Sequence, residues 1–143
     1  MDRLSEEGIA AVLARNGVGV LALTDSETEA PYPIPVAFGY DPDTDRLCLQ
    51  LEGDDDSRKR RCLDRSRTVG FTVFEEDPDE RVWRSVVLGG RLAEISYGDA
   101  EPAFAALARN SRSAPDPRRW GESGEVTPVE LVVERWSGRA FEV

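Results

Sequence analysis

The residues with the clearest chemical meaning in this sequence form a short basic window. It runs from Ser57 to Arg61 and follows the three aspartates at 54–56. Ser57 is a suitable N-cap, so a helix would begin after it and direct its first backbone N–H groups, with Arg58 and Lys59, toward one point. The window therefore predicts an anion site. A solvated helix whose bases neutralise the neighbouring aspartates would have the same sequence, so both interpretations stay open here.

Residue types that the chain lacks exclude other chemistry. The sequence contains no histidine, which removes imidazole bases, Ser-His and Cys-His nucleophile pairs, and histidine-ligated metal sites. Cys48 and Cys62 stand 14 positions apart, which fits neither a CxxC redox pair nor a zinc-ligand set. We expect two reduced thiols in or near the core and no metal. Any chemistry must come from a bound group or from carboxylates.

The charge of the chain excludes further classes of function. Twenty-eight acidic residues against 18 basic ones give a net charge of −10, which repels nucleic-acid backbones and anionic lipid. Lys59 is the single lysine among those 18 bases, and the acid excess suggests a halophilic or GC-rich source. No stretch approaches the ~20 apolar residues of a membrane helix. The acidic N-terminus does not resemble a secretory signal, so we expect a cytoplasmic protein.

Hydrophobic spacing predicts the elements that position the basic window. Ser5 can cap a helix in which Ile9, Val12 and Leu13 form one face, and the chain leaves it at Asn16-Gly17. The period then changes to two, which predicts a three-stranded meander over 18–24, 32–40 and 46–51. Prolines at the start of its second strand favour an edge position, and Gly39 permits a bend or a close backbone approach.

The second half of the chain predicts further strands and one more helix. We expect a strand over 69–74, an acidic loop over 75–81, a long strand over 82–95 bent at Gly89-Gly90, a helix over 99–109, a loop over 110–127, and strands over 129–135 and 139–143 around Ser137-Gly138. Asp99 would cap the helix, which would pack through Ala103, Phe104, Leu107 and Ala108. The whole chain, 1–143, is predicted to be one mainly β domain with peripheral helices.

This order of elements, together with three segments of sequence, resembles the FMN-binding split β-barrel family. Within that family it is similar to the small proteins related to pyridoxamine 5′-phosphate oxidase. The three segments run from Pro31 to Asp41, from Ser57 to Phe71 and from Trp83 to Gly89. The resemblance implies a split β-barrel of six to seven antiparallel strands, an FMN cofactor, and a homodimer with flavin sites at the subunit interface.

The resemblance also implies site residues. The FMN phosphate would fall on Arg58 and Lys59, beside Ser57. The residues expected to line the flavin are Pro35, Val36, Gln50, Leu51, Trp83, Arg84, Ser85, Val86 and Trp120. Trp83 would serve equally well as a packing residue at the barrel mouth. Relatives often carry a histidine near Gln50, and none exists here, so its substrate role does not transfer to this chain.

Two features of the loop and of the barrel surface are also expected. The 110–127 loop would lie over the flavin, with Trp120 as its anchor and Arg118 or Arg119 near the cofactor, or would be a surface loop pinned by Trp120. A second copy of the chain would cover an apolar face around Phe38, Phe71 and Val87.

The leading functional hypothesis is an FMN-dependent oxidoreductase acting on a small molecule. True pyridoxamine 5′-phosphate oxidases hold their substrate with a C-terminal extension bearing Arg and Trp, for which Arg135-Trp136 is a weak counterpart, so we do not expect that reaction. Two alternatives remain: a deazaflavin-dependent reductase, and a barrel that binds flavin or a partner without catalysis.

Overall fold

The structure is a computed structural model that describes residues 2–52, 57–110 and 126–142. Within these residues the chain forms seven strands and three helices. They are β1 (Asp2–Arg3), α1 (Glu6–Arg15), β2 (Val18–Thr24), β3 (Pro31–Asp41), β4 (Arg46–Glu52), α2 (Arg58–Arg65), β5 (Thr68–Asp77), β6 (Val82–Glu94), α3 (Tyr97–Asn110) and β7 (Val126–Glu142). None of these helices is long and apolar enough to cross a membrane.

The strands form one antiparallel sheet that closes into a split barrel, which confirms the predicted fold class. The strand order is β1-β7-β4-β3-β2-β5-β6, and β6 pairs back onto β7. The barrel is split because β3 and β4 pair only between Ala37–Asp41 and Arg46–Gln50. The first half of β3 pairs with β2 alone among the described strands, which confirms the edge position predicted from its prolines.

Two phenylalanines fill the centre of the barrel. The rings of Phe38 and Phe71 meet edge to face, with centroids 5.3 Å apart, and both side chains are fully buried. The expectation that they share an open apolar face with Val87 is wrong, because both point into the barrel while Val87 remains 52% exposed. Gly19 makes room for this packing, since a Cβ there would lie 2.4 Å from the Phe71 ring.

The first helix is confirmed as predicted and packs against the barrel. Ser5 Oγ accepts the Gly8 backbone N–H at 3.0 Å, and the helix ends at Arg15. Its buried face consists of Ile9, Val12 and Leu13, which join the main core cluster.

The third helix begins two residues earlier than the sequence predicts. Ser96, rather than Asp99, provides the cap, because its Oγ accepts the Asp99 N–H at 3.2 Å and the helix starts at Tyr97. Ala103, Phe104 and Leu107 are buried as expected, against the outer side of β3 and β4, whereas Ala108 is exposed.

Cross-strand pairing extends β5 into the segment expected to be an acidic loop. Glu75, Glu76 and Asp77 pair with Arg84, Trp83 and Val82 of β6. The Glu75–Arg84 pair is an ion pair at 3.3 Å, so the charges that favour a loop instead stabilise the ladder. The irregularity predicted at Gly89-Gly90, where the strand is expected to bend, is present as a register shift against β7 between these two residues.

The last two predicted strands are one continuous strand, β7. Gly138 therefore does not turn the chain, and its ladder partner is Val86. A Cβ at this position would lie 2.8 Å from Leu4 and 2.9 Å from Ile9. The glycine lets the N-terminal segment pack against the strand, a role that spacing along the sequence does not distinguish from a turn.

At Gly39 the backbone of α3 lies very close to β3, and this contact gives a stability prediction. A Cβ at Gly39 would lie 1.7 Å from the Ala103 carbonyl oxygen, so α3 would have to move. We expect Gly39→Ala to lower the free energy of unfolding by about 2 kcal/mol or more, measured by urea denaturation. Gly70→Ala is the control, because its Cβ would meet no atom closer than 3.8 Å. Equal effects of the two substitutions would contradict the prediction.

Candidate ligand-binding site

The predicted basic helix is present, and Ser57 caps it. Ser57 Oγ accepts the Arg60 backbone N–H at 3.1 Å, and α2 begins at Arg58. Lys59 is half-buried in the first turn. The first backbone N–H groups of α2 therefore lie at the same end of the helix as Arg58 and Lys59, which is the arrangement that an anion site requires.

Arg58 is held by a buried carboxylate. Its Nε donates to Oδ2 of Asp25 at 2.7 Å, and its Nη2 forms an ion pair with the same oxygen at 2.7 Å. The guanidinium lies 4.1 Å from the centroid of the Tyr32 ring. Asp25 is only 5% exposed at the end of β2. The hydrogen bond from Arg58 holds the pKa of Asp25 below its ordinary value, despite burial. The pair therefore stays ionised at neutral pH.

A second arginine of α2 contacts the same turn. Arg65 Nη1 donates to Ser26 Oγ at 2.5 Å, and its Nη2 lies 3.9 Å from Glu27 Oε1. Arg60 instead pairs along the helix with Asp64 at 3.4 Å. Sequence reasoning missed Asp25 because an aspartate beside Ser26 is also the ordinary composition of a turn.

Strand alternation separates the predicted lining residues onto two sides of the sheet. The side chains of Val36, Leu51 and Val86 point into the barrel and are 6%, 7% and 0% exposed. Those of Pro35, Gln50, Trp83 and Ser85 lie on the outer side, by alternation with these buried neighbours. Only the outer set can offer side chains to a ligand on that surface, while the inner set can offer backbone.

Gln50 is the buried polar residue of the outer set. It pairs with Ala37 on one side and with Pro128 on the other, at the last β3–β4 pair before the barrel splits. Its side chain is 5% exposed, and Nε2 has no hydrogen-bond partner among the residues that the structure describes. An unpartnered buried donor costs free energy, so this amide requires an acceptor from outside that set.

The open edge of β3 offers acceptors and no donors. Phe38 donates its N–H to the Gly17 carbonyl at 2.9 Å. Because the backbone groups of successive residues point to opposite edges of a strand, the N–H and C=O groups of the even-numbered residues of β3 point toward β2. Pro31, Pro33 and Pro35 therefore direct their carbonyls to the opposite edge, where proline has no N–H. Beside Gln50, the split thus presents one amide donor and a row of carbonyl acceptors.

An apolar surface adjoins this edge. A cavity of about 410 Å³ beside Pro35 is lined by Asn16, Gly17, Val18, Gly19, Val20, Pro35 and Phe74. Farther along the surface, the Trp83 ring lies 5.5 Å from Phe74 and 6.2 Å from Phe141. Val18 and Phe74 are more than half exposed, and Trp83 is 38% exposed. A flat aromatic ligand or a second protein surface would suit these side chains.

Arg84 lies away from that surface, in an ion-pair cluster. It contacts Glu75 at 3.3 Å and Glu80 at 2.7 Å, while Arg15 and Asn16 also donate to Glu75. Burial acts to raise the pKa of Glu75, but the hydrogen bonds from Arg15 and Asn16 outweigh it and leave the pKa below its ordinary value. The cluster ties the end of α1 to the β5–β6 hairpin.

The thiols are free and buried, as expected. Cys48 and Cys62 are both free and buried, and burial raises the pKa of Cys48 to about 12. Burial also raises the pKa of Cys62. Among the described residues, no group of His, Cys, Asp or Glu could hold a metal ion.

Part of the predicted site falls outside the described residues. Trp120, Arg118 and Arg119 belong to the 111–125 segment, and the aspartates at 54–56 belong to the 53–56 segment. The proposed lid over the flavin and the proposed neutralisation of these aspartates by the basic helix both involve these segments, and both stay predictions.

Comparison with known proteins gives a family match and similar folds. Residues 5–140 match the profile of a family described as pyridoxamine 5′-phosphate oxidase. No curated protein sequence matches the chain.

Three similar solved structures come from bacteria. A FAD-binding protein from Mesorhizobium loti has a TM-score of 0.73 at 23% identity, covering 99% of this chain and 98% of that one. A putative 5-nitroimidazole antibiotic resistance protein from Bacteroides thetaiotaomicron has a TM-score of 0.70 at 20% identity, covering 98% and 87%. A FAD-binding protein from Mycobacterium smegmatis has a TM-score of 0.65 at 16% identity, covering 99% of both chains. These likenesses show the fold.

The Glu75 cluster predicts the acid sensitivity of the protein. Because the folded pKa of Glu75 lies below its unfolded value, its contribution to stability is complete above the unfolded pKa and is lost as pH falls through the folded pKa. We expect Glu75→Gln to destabilise the protein by about 1–2 kcal/mol at pH 7 and by less near pH 3. Thermal unfolding across this range measures the effect. Glu134→Gln, which removes an exposed pair with Arg91, is the control and should change little.

Proposed function

The chain belongs to the pyridoxamine 5′-phosphate oxidase family, and from that premise we propose that it binds FMN and serves as a flavin-dependent oxidoreductase. The observation that carries this proposal is the buried Gln50 amide, whose Nε2 has no hydrogen-bond partner among the described residues. A flavin ring carries carbonyl oxygens and ring nitrogens that accept such a bond. The residues present therefore fit a flavin on this side of the sheet.

The outer side chains would hold the ring. Gln50 would donate to it, Pro35 and the cavity beside it would supply an apolar wall, and Trp83 and Ser85 would extend that surface. Val36, Leu51 and Val86 would contribute backbone only, because their side chains belong to the core. Arg84 would act through its backbone as well, since Glu75 and Glu80 hold its guanidinium. Trp120 remains a proposed lid residue outside the described part of the chain.

The start of α2 would hold the phosphate. Ser57 orders the first turn, and Lys59 places an ammonium there, the type of cation that binds phosphate as a point charge. The similar proteins from Mesorhizobium loti and Mycobacterium smegmatis are described as FAD-binding, which supports a flavin. We favour FMN because one phosphate matches one short basic helix in a chain of net charge −10.

A bound flavin supplies hydride and electron transfer, and the protein orients it and keeps water from it. Gln50, the acceptor-only edge and the apolar wall can do this without a histidine or a reactive thiol. Membership of the family does not fix the substrate. The similar protein from Bacteroides thetaiotaomicron is described as a putative 5-nitroimidazole resistance protein, so nitroaromatic acceptors are reasonable first substrates to assay.

Gln50 provides the direct test of flavin binding. We expect the purified protein to bind FMN and riboflavin, and Gln50→Leu to weaken both by about two- to tenfold, the value of one neutral hydrogen bond. Flavin fluorescence titration at fixed salt measures the affinities.

The ligand-free Gln50→Leu protein provides the matched control. It should be no less stable than the wild type, because the substitution also removes an unpartnered buried donor. Unchanged flavin affinity would exclude Gln50 as the contact. If neither flavin binds, the same titration with a deazaflavin and the assay for turnover separate the remaining alternatives.

A homodimer would complete the site. Val18, Phe74 and Val87 are 58%, 54% and 52% exposed and lie on the outer side of adjacent strands β2, β5 and β6. Monomeric proteins seldom expose so continuous an apolar surface. A second copy would cover it and bring residues of both chains to each flavin.

The exposed valine Val87 tests this assembly. We expect a dimer by light scattering at fixed salt, and we expect Val87→Arg to shift the protein to monomer, because a buried unpaired charge at the interface is costly. Val132→Arg is the matched control, an exposed strand valine on β7 that pairs with Arg91. A wild-type monomer that still binds FMN would refute the assembly.

A further inference from the structure

Arg58 is held by the buried Asp25 carboxylate, although the resemblance assigns it to the phosphate together with Lys59. We propose that Asp25 and Arg58 form a fixed latch that positions the start of α2, so that Arg58 is a positioning residue and Lys59 carries phosphate selectivity. This inference rests on the proposed function for its ligand, while the latch itself exists without one.

The contacts of Asp25 occupy both of its oxygens. Oδ1 accepts the Glu27 backbone N–H at 3.0 Å, and Oδ2 accepts the Arg58 Nε–H at 2.7 Å and lies 2.7 Å from Arg58 Nη2. The face of the same guanidinium lies on the Tyr32 ring. Arg58 therefore joins the end of β2, the start of β3 and the first residue of α2.

Moving the Arg58 guanidinium from Asp25 to a phosphate would cost more free energy than the new bond would supply. The Asp25 carboxylate, 5% exposed, would be left buried without its cation, whereas a phosphate outside the barrel would return one charge-assisted bond. While the pair stays intact, its charges cancel, and an approaching anion gains little from it. Arg58 is therefore a poor source of phosphate attraction, despite its place in the basic window.

The second contact between α2 and this turn explains what the latch is for. Arg65, seven residues after Arg58 and thus about two helical turns along the same side, donates to Ser26 Oγ. The two arginines fix the helix against the 25–27 turn at both ends. Lys59 follows Arg58 by about 100° around the helix axis, so the latch also fixes the direction in which Lys59 leaves the helix.

The sign of one substitution separates a latch from a direct ligand. If Asp25 merely restrains a phosphate-binding arginine, Asp25→Asn removes a negative charge and should tighten FMN. If Asp25 positions α2, the same change should weaken FMN by roughly threefold or more, with less effect on riboflavin. Glu29→Gln is the matched control, because it removes an exposed charge from the same polar turn and leaves the contacts of Arg58 and Arg65 in place.

A coupling experiment with Lys59 completes the test. We expect Lys59→Ala to lower the FMN-to-riboflavin affinity ratio by roughly ten- to a hundredfold, and Arg58→Ala to lower it less. In the Lys59→Ala background, Arg58→Ala should lower the ratio no further, because Arg58 acts through Lys59. A further loss there, or tighter FMN binding by Asp25→Asn, would overturn the proposal.

Unfolding of the ligand-free protein tests the latch independently of any flavin. Arg58→Ala should lower Tm most, because it leaves the Asp25 carboxylate buried without its cation, and adding Asp25→Asn to that variant should lower Tm no further. Additive losses would refute the latch. If the wild-type protein binds no flavin, the proposed function and the role of Lys59 both fail, and this unfolding cycle alone decides whether the latch exists.

Discussion

Strand β7 forms hydrogen bonds with β4 along one edge and with β6 along the other, and this double pairing closes the sheet. Closure gives every strand one side in the core and one side outside. Phe38 and Phe71 fill the interior, so the ligand surface must be built from the alternate residues. The bulge at Gly89-Gly90 adjusts the register of β6 against the long strand β7. The absence of a side chain at Gly138 lets the N-terminal segment and α1 pack against the same strand.

The sequence predicted most elements because their signals are local. The Ser5 and Ser57 caps, the period-two strands and the proline edge depend only on neighbouring residues, and all are present. Features set by partners distant in the chain were not predictable. From the sequence alone, Gly138 and Asp25 both look like turn residues. Only the structure shows that Gly138 makes room for the N-terminal segment and that Asp25 binds Arg58.

The candidate site shows the same division between local and distant signals. The basic residues of α2 are plain in the sequence, but spacing alone cannot show that a buried carboxylate holds Arg58. Likewise, alternation with buried leucines assigns Gln50 to the outer side, yet it gives no sign that the outer side is buried there. Burial on both sides of β4 arises from the tertiary structure, and it turns an ordinary glutamine into a candidate ligand contact.

Pro31, Pro33 and Pro35 leave the open side of β3 with carbonyls and without amide donors. A strand of another molecule that paired with this edge could not receive hydrogen bonds from the three prolines, because proline has no backbone N–H. The opening therefore resists edge-to-edge aggregation. Repulsion among the acidic residues also opposes aggregation, but added salt screens it. A missing N–H is insensitive to salt. The barrel can therefore stay split, and its opening can stay accessible, at ionic strengths where surface charge no longer keeps molecules apart.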